Sequence, residues 1–270
     1  MIMLRYEKAV VAGMSGTLRI LHVSDVHFNR YTTSHGKNMQ ITGEILDICK
    51  AHAEMLDAIC VTGDLISKGS SAETFADAVA LMQRLKAYAP KVFYSMGNHE
   101  MQYPRKIRFA FLNQLSRKKI TVLDNAYDLF RGVYFAGLTL PDSVFKTRDG
   151  SYKALRTIDK QLVTKCLGTC PKKPCILLAH SPMGFEAYGE WGADVVLSGH
   201  VHGGIVRIGG VGLLSPERKF LPQYTKGMYV KTGCTMQVSA GIGKFRLCNP
   251  SEIVLMELHG FSWEEGFHAS

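Results

Sequence analysis

Five short apolar runs in this chain each break off at side chains able to bind a cation or move a proton. That pattern constrains the fold more than any other feature. Thr17–Val23 (TLRILHV) gives way to Ser24-Asp25-Val26-His27, and Ala58–Thr62 (AICVT) to Gly63-Asp64. Lys91–Ser95 (KVFYS) stops at Gly97-Asn98-His99-Glu100. Residues 174–178 (PCILL) run into Ala179-His180, and 195–197 into Ser198-Gly199-His200-Val201-His202. Ligands of open α/β sheets bind beyond the carboxyl ends of parallel strands, and each of these turns is such an end.

Helical spacing fills the gaps between the early strands. Residues 38–53 repeat Ile41, Ile45, Ile48 and Cys49, and 72–86 place Phe75, Ala78, Leu81, Met82 and Leu85 on one face. Residues 104–117 open on a proline and repeat Ile107, Phe111 and Leu115. A further helix is predicted near 156–165. The order β-α-β-α-β predicts a parallel sheet with helical crossovers. After Ile120 the texture changes to strands joined by short turns, at 120–123, 126–130, 132–138, 227–231, 235–239 and 252–257. The expected architecture is α/β, two packed sheets flanked by helices, in one domain over residues 1–270.

The strand-end residues are Asp25, His27, Asp64, Asn98, His99, His180, His200 and His202. Carboxylates, imidazoles and an amide are ligand types for Mn²⁺, Zn²⁺ and Fe ions, with a hard-oxygen bias from the aspartates. No thiolate is among them, which disfavours a structural zinc site. At the end of a strand, residues i and i+2 project to the same side, so Asp25 and His27 can both reach one metal, and His200-x-His202 repeats the arrangement. Asp64 has two oxygens and can bridge two ions. Two ions about 3.5–4 Å apart form the clamp of hydrolytic phosphoryl transfer, with a bridging hydroxide as nucleophile. His99 then sits where it can stabilise or protonate the leaving oxygen. Each motif has a plainer reading: Gly-Asp as a turn, Asn98 as a helix cap, His180 as a hydrogen-bonded histidine. Five of them in one order weigh against that plainer reading for the set.

Composition narrows the classes. In 270 residues the formal net charge is +9, which favours anionic partners without choosing among phosphates, nucleic acid and acidic lipid. Basic runs are as short as Arg117-Lys118-Lys119, so no extended nucleic-acid arm is present. Seven scattered cysteines argue against a disulfide framework and for a reducing compartment, hence the cytoplasm. Cys166, Cys170 and Cys175 lie close in sequence but offer no fourth zinc ligand. No run of 18 apolar residues occurs, and no signal peptide or membrane anchor is expected; peripheral membrane contact stays open.

The series Asp25-Val26-His27, Gly63-Asp64, Gly97-Asn98-His99-Glu100, His180 and Gly199-His200-Val201-His202 resembles the calcineurin-like metallophosphoesterase superfamily across about residues 17 to 258. The resemblance implies a four-layer sandwich of two packed mixed sheets flanked by helices. It implies two divalent ions, Mn²⁺ first, with Zn²⁺ or Fe²⁺ as alternatives. One ion would be held by Asp25, His27, Asp64 and His202, the other by Asp64, Asn98, His180 and His200. His99 would be the catalytic histidine, assisting hydrolysis of a phosphate mono- or diester. Residues 199–204 (GHVHGG), 205–208, Gly212-Leu213-Leu214-Ser215-Pro216, Gly227-Met228-Tyr229 and Asn249-Pro250-Ser251-Glu252-Ile253 resemble the bacterial YkuE-like branch, which includes hydrolases of UDP-2,3-diacylglucosamine. Many members of that branch begin with a membrane anchor or export signal, and this chain shows neither. Asp64 is followed by Leu65-Ile66-Ser67-Lys68-Gly69, unlike serine/threonine protein phosphatases. Ser67 stands where purple acid phosphatases place an iron-binding tyrosine.

The alternatives are a nuclease and a non-catalytic scaffold on the same fold; no obligate protein partner is evident. Asn29 and Arg30 are candidates to touch the phosphate, residues 142–152 for a lid, and Tyr224, Tyr229 and Phe220 for either an apolar pocket or the core. Gly203-Gly204 is expected to let the backbone pass close to the ions. His22, His35, His52, His259 and His268 are read as structural or surface histidines.

Overall fold

A period of two sorts the long strands into two faces. In β2 (Thr17–Val23), Leu18 and Ile20 face one way, and Leu21 and Val23 the other. The same division runs through β3 (Ala58–Thr62), whose residues are all buried, as expected for a strand covered on both sides. The structure is a computed structural model that describes residues 1–28, 35–146, 155–171, 174–204, 206–208, 211–214, 220–243 and 247–261. Asn29, Arg30, His268 and most of the 142–152 segment lie outside the described residues.

One six-stranded sheet has β2 and β3 beside β4 (Lys91–Ser95) and β5 (Thr121–Val122), all parallel. Beyond β2 it continues into the C-terminal β14 (Glu252–Phe261), antiparallel to β2, and then β1 (Met3–Ala12), parallel to β14. The second sheet runs β12 (Gly227–Lys231), β13 (Cys234–Val238), β9 (Val195–Ser198), β8 (Cys175–Ala179), β7 (Val133–Leu138), β6 (Ala126–Phe130). Its inner pairs β13–β9, β9–β8 and β8–β7 are parallel, and its edges antiparallel. A separate two-stranded ladder joins β10 (Arg207–Ile208) to β11 (Val211–Gly212).

The sheets pack face to face. Ile20, Cys60 and Phe93 of the first meet Phe135, Leu178 and Leu197 of the second, and the Phe93 and Phe135 rings stack at 4.2 Å. On the outer face of the first sheet lie α1 (His35–His52), α2 (Ala72–Leu85) and α4 (Arg105–Arg117), which bury Ile45, Met82 and Leu115 against it. On the outer face of the second lie α5 (Lys160–Leu167) and α6 (Phe185–Trp191), burying Leu162 and Tyr188. The result is four layers, α/β/β/α, as expected from the sequence. Ser71 caps α2 by accepting from Thr74 N at 3.3 Å, and Asp159 caps α5 by accepting from Leu162 N at 2.7 Å, which fixes where these helices begin. The four-residue α3 (Asn98–Met101) starts directly after β4, at the centre of interest.

Candidate metal centre

The carboxyl ends of β2, β3 and β4 face those of β8 and β9 across the seam between the sheets. His180 Nδ1 donates to the carbonyl of Thr62 at 2.8 Å, and His200 N donates to Asp25 Oδ2 at 3.0 Å, so the two sheets are bonded at this end. Three triplets of side chains there place a ligand atom from each member within 4.8 Å of the others: Asp25, His27 and His202; His27, Asp64 and His99; Asp64, His180 and His200. Seven of the eight sequence-derived residues thus gather in one chain of overlapping groups. The eighth, Asn98, opens α3 beside His99, is buried, and has an Oδ1 with no hydrogen-bond donor.

The backbone brings them together differently from the extended spacing that the sequence suggests. Strand β2 ends at Val23, and Asp25 and His27 both adopt left-handed φ, 51° and 49°. Asp64 (48°), His200 (68°) and His202 (53°) do the same. Non-glycine residues rarely take this conformation, and clustered strain of this kind costs roughly 1–3 kcal/mol each and marks functional sites. Each turn therefore kinks to aim its side chain inward. Gly63 and Gly97 make the closest approach possible: a Cβ on Gly63 would meet Gly97 N, and one on Gly97 would meet the Asp64 carboxylate.

Asp64 occupies the middle. Its Oδ1 accepts from His99 N at 2.8 Å. Its Oδ2 lies 3.2 Å from His180 Nε2, 3.6 Å from His27 Nε2 and 3.9 Å from His99 Nε2. Asp25 Oδ1 lies 3.7 Å from both His27 Nε2 and His202 Nε2. Glu100 supports this arrangement from behind. Its buried carboxylate accepts from Gly97 N at 2.8 Å, Asp64 N at 2.9 Å and Ile66 N at 3.1 Å, knotting the second and third turns together.

Electrostatics follow from burying two carboxylates among imidazoles. Burial opposes a charge on either aspartate, yet the surrounding histidines hold both well below the usual carboxylate range. In return, burial opposes protonation of His180, but Asp64 and Asp25 outweigh it and carry its pKa up to about 10; His27 is also raised against burial, chiefly by Asp25. Burial lowers His99, only partly offset by Asp64. The site therefore attracts positive charge. Two observations suit these donors to divalent cations. His27 Nε2 and His202 Nε2 face each other at 3.2 Å, an arrangement suited to sharing a cation, and the buried Asn98 Oδ1 is an oxygen donor with nothing to accept from.

Other residues fall into place around the centre. Phe145, in the described part of the 142–152 segment read as a lid candidate, lays its ring edge-on to His200 at 5.1 Å and covers that side of the cluster. Tyr224 is buried against Phe185 and Tyr229 with its hydroxyl donating to Glu186, so it belongs to the core, whereas Phe220 is exposed. Gly203 and Gly204 take positive φ, and a Cβ on them would meet Asn249 and Gly212 respectively. No disulfide joins any of the seven cysteines, and no triplet containing a cysteine sulfur forms a cation site among the described residues.

His22 lies fully buried beneath the centre, its Nε2 within 2.8 Å of Thr62 Oγ1. Burial drives its pKa down to about 3, so the folded protein keeps it neutral. The unfolded chain takes up that proton below about pH 6.5, and folding stability falls as pH drops, by about 1.4 kcal/mol per pH unit, until the loss levels off near the folded pKa of about 3. Thermal melts from pH 7 to 4 should show a shallower acid loss for His22→Asn than for the wild type; parallel curves would contradict this.

A four-layer fold with carboxylates and imidazoles gathered at facing strand ends defines an α/β protein with a two-lobed candidate metal centre. Residues 18–204 match the family model described as calcineurin-like phosphoesterase, and the chain belongs to that family. An uncharacterized metallophosphoesterase of Campylobacter jejuni is 27% identical over 266 residues; the match covers 93% of this chain but only 61% of that protein's length. Among solved structures, TT1561 of Thermus thermophilus superposes with a TM-score of 0.53 at 14% identity, covering 83% of this chain and 90% of that one, which supports the fold. The phosphopantetheinyl hydrolase PptH of Mycobacterium tuberculosis gives a TM-score of 0.44 at 12% identity, covering 83% and 89%.

Proposed function

We propose that this chain is a dinuclear metal-dependent phosphoesterase that hydrolyses a phosphate mono- or diester, with Asp64 between the two ions. The observation that carries this reading is the position of Asp64, whose Oδ2 lies 3.6 Å from His27 Nε2 on one side and 3.2 Å from His180 Nε2 on the other. Asp25, His27, Asp64 and His202 would hold one ion, and Asp64, Asn98, His180 and His200 the second. Bound there, two divalent cations supply charge against the phosphate oxygens and acidify a water.

The protein's own residues do the rest. His180 donates through Nδ1 to Thr62, so its Nε2 is the nitrogen turned toward the cluster. His99 Nδ1 accepts from Lys68 N at 2.9 Å, which fixes the neutral ring with its proton on Nε2, the atom that faces Asp64. That Nε2–H can donate to an oxygen leaving phosphorus. Loss of such a group typically costs about 10²–10⁴-fold in rate, so His99→Asn should lower kcat by about 10²-fold or more while metal content is unchanged.

Mn²⁺ is the first choice of metal because the donor set mixes hard carboxylate oxygens with imidazoles. Seven cysteines without a disulfide support a reducing compartment, and we place the enzyme in the cytoplasm as one domain over residues 1–270. Among the described residues no helix is long and apolar enough to cross a membrane. The 199–204 and 249–253 runs favour the YkuE-like branch, and with it nucleotide-sugar lipids as one substrate class to test. The deciding assay is hydrolysis of bis-p-nitrophenyl phosphate by metal-stripped protein with Mn²⁺ restored, alongside cyclic nucleotides, nucleotide-sugar lipids and phosphomonoesters. Inactivity on all of these with every metal would defeat the proposal and favour a scaffold.

A further inference from the structure

A tyrosine hydroxyl is built into the turn that bonds His99. Residues 67–70 fold back through Gly69, which takes φ 74°. Tyr103 Oη accepts from Ser70 N at 2.6 Å and donates to the carbonyl of Ser67 at 2.6 Å, so one hydroxyl spans both ends of the turn. Ser70 Oγ donates to the same carbonyl at 2.7 Å. Between those ends lies Lys68, whose N donates to His99 Nδ1 at 2.9 Å.

Tyr103 stands four residues after His99, between α3 and α4, and is fixed by groups outside the turn. Its N donates to the carbonyl of Glu100 at 3.1 Å, and its own carbonyl accepts from Arg108 Nη1 at 2.9 Å. Its ring packs edge-on to Phe75 at 5.1 Å. The chain leading into the turn has a separate hold. Phe28 and Ile66 form a parallel bridge, Ile66 N donates to Glu100 Oε1 at 3.1 Å, and Ser67 N donates to the carbonyl of Phe28 at 3.2 Å. Loss of the tyrosine hydroxyl therefore falls on residues 68–70, where the bond to His99 is made.

The bond from Lys68 to His99 lies at an exposed position, where water competes for both partners. It selects which ring nitrogen carries the proton and sets the angle of Nε2, which lies 3.9 Å from Asp64 Oδ2. We infer that Tyr103 is a positioning residue for His99, acting through the 67–70 turn and the Lys68 amide. The inference rests on the reading of His99 as the group that donates to the leaving oxygen.

Tyr103→Phe keeps the ring and removes only the hydroxyl. Its kcat should fall about 3–10-fold, the worth of one hydrogen bond, with KM within about twofold and with Mn²⁺ content unchanged by elemental analysis. The fall should be larger for an aryl phosphate ester whose leaving phenol is more basic than p-nitrophenol, because a poorer leaving group draws more on the acid. Added to His99→Asn, the same change should alter kcat by less than about twofold, since two residues acting as a unit are not additive. Lys68→Pro deletes the donor itself, at a turn position that proline suits. Measured against Lys68→Ala, it should lower kcat by at least as much, and it stands in if thermal melts show that Tyr103→Phe does not fold. An unchanged kcat in folded Tyr103→Phe on both esters, the same loss with and without His99, or equal kcat for Lys68→Pro and Lys68→Ala overturns the inference. Wild-type kcat in His99→Asn overturns the leaving-group reading, and this inference with it.

Discussion

Asp64→Asn should lower kcat/KM for phosphoester hydrolysis by roughly 10³-fold or more, the largest catalytic loss of any substitution in this chain. The asparagine keeps the size of the side chain, and its carbonyl can still accept from His99 N, the bond that Asp64 Oδ1 makes at 2.8 Å. It loses the second anionic oxygen, which lies 3.2 Å from His180 Nε2 and 3.6 Å from His27 Nε2. That oxygen is aimed at both halves of the centre, so the variant should also lose metal, by elemental analysis of the purified protein. An asparagine amide has no proton to lose in this range, so raising the pH cannot restore the variant. A loss under tenfold at saturating Mn²⁺ would separate Asp64 from the chemistry.

Glu100→Ala should cost about 4 kcal/mol of folding stability, more than any other single truncation near the centre. Three buried backbone amides, of Asp64, Ile66 and Gly97, donate to this carboxylate, and truncation leaves all three without an acceptor. Each such orphan costs about 1–3 kcal/mol. Burial raises the pKa of Glu100, so the charge carries a cost of its own, offset by the amide donors. Glu100→Gln, uncharged and still able to accept, should therefore lose about half as much in urea melts. Equal losses for the two variants would mean that charge, rather than acceptor capacity, holds the turns together.

How far the sequence led depended on where the signal was local. The strands before Asp25, Asp64, Asn98, His180 and His200 were legible because short runs rich in apolar and β-branched residues that end at carboxylate, amide or imidazole side chains have few other readings. Strand β1 was not: Arg5, Glu7 and Lys8 break its pattern, and its pairing with β14 joins residues about as far apart in sequence as the chain allows. Helix α6 was also missed, being seven residues long with Gly189 inside it. The convergence of Asp25 with His27 was expected from strand alternation, but the chain achieves it with two left-handed residues, a conformation that no side-chain pattern announces.

Around the centre the same limit applies. Glu100 was part of the quoted motif without a role; the spacing Gly97-x-x-Glu100 is that of a carboxylate reaching back to its helix start, and could have supplied one. Tyr103 carried no such signal. Its partners lie on the loop after β3, and the contacts exist only once the first sheet is assembled. The plainer readings of His22, His35, His52 and His259 agree with the structure: the first is buried against Thr62, and the others bond to surface groups.

The central claim, that two cations share Asp64, has one direct measurement. Crystals grown with Mn²⁺ should show two anomalous-scattering peaks about 3.5–4 Å apart on either side of the Asp64 carboxylate. A single peak, or two that do not share that carboxylate, would contradict the account.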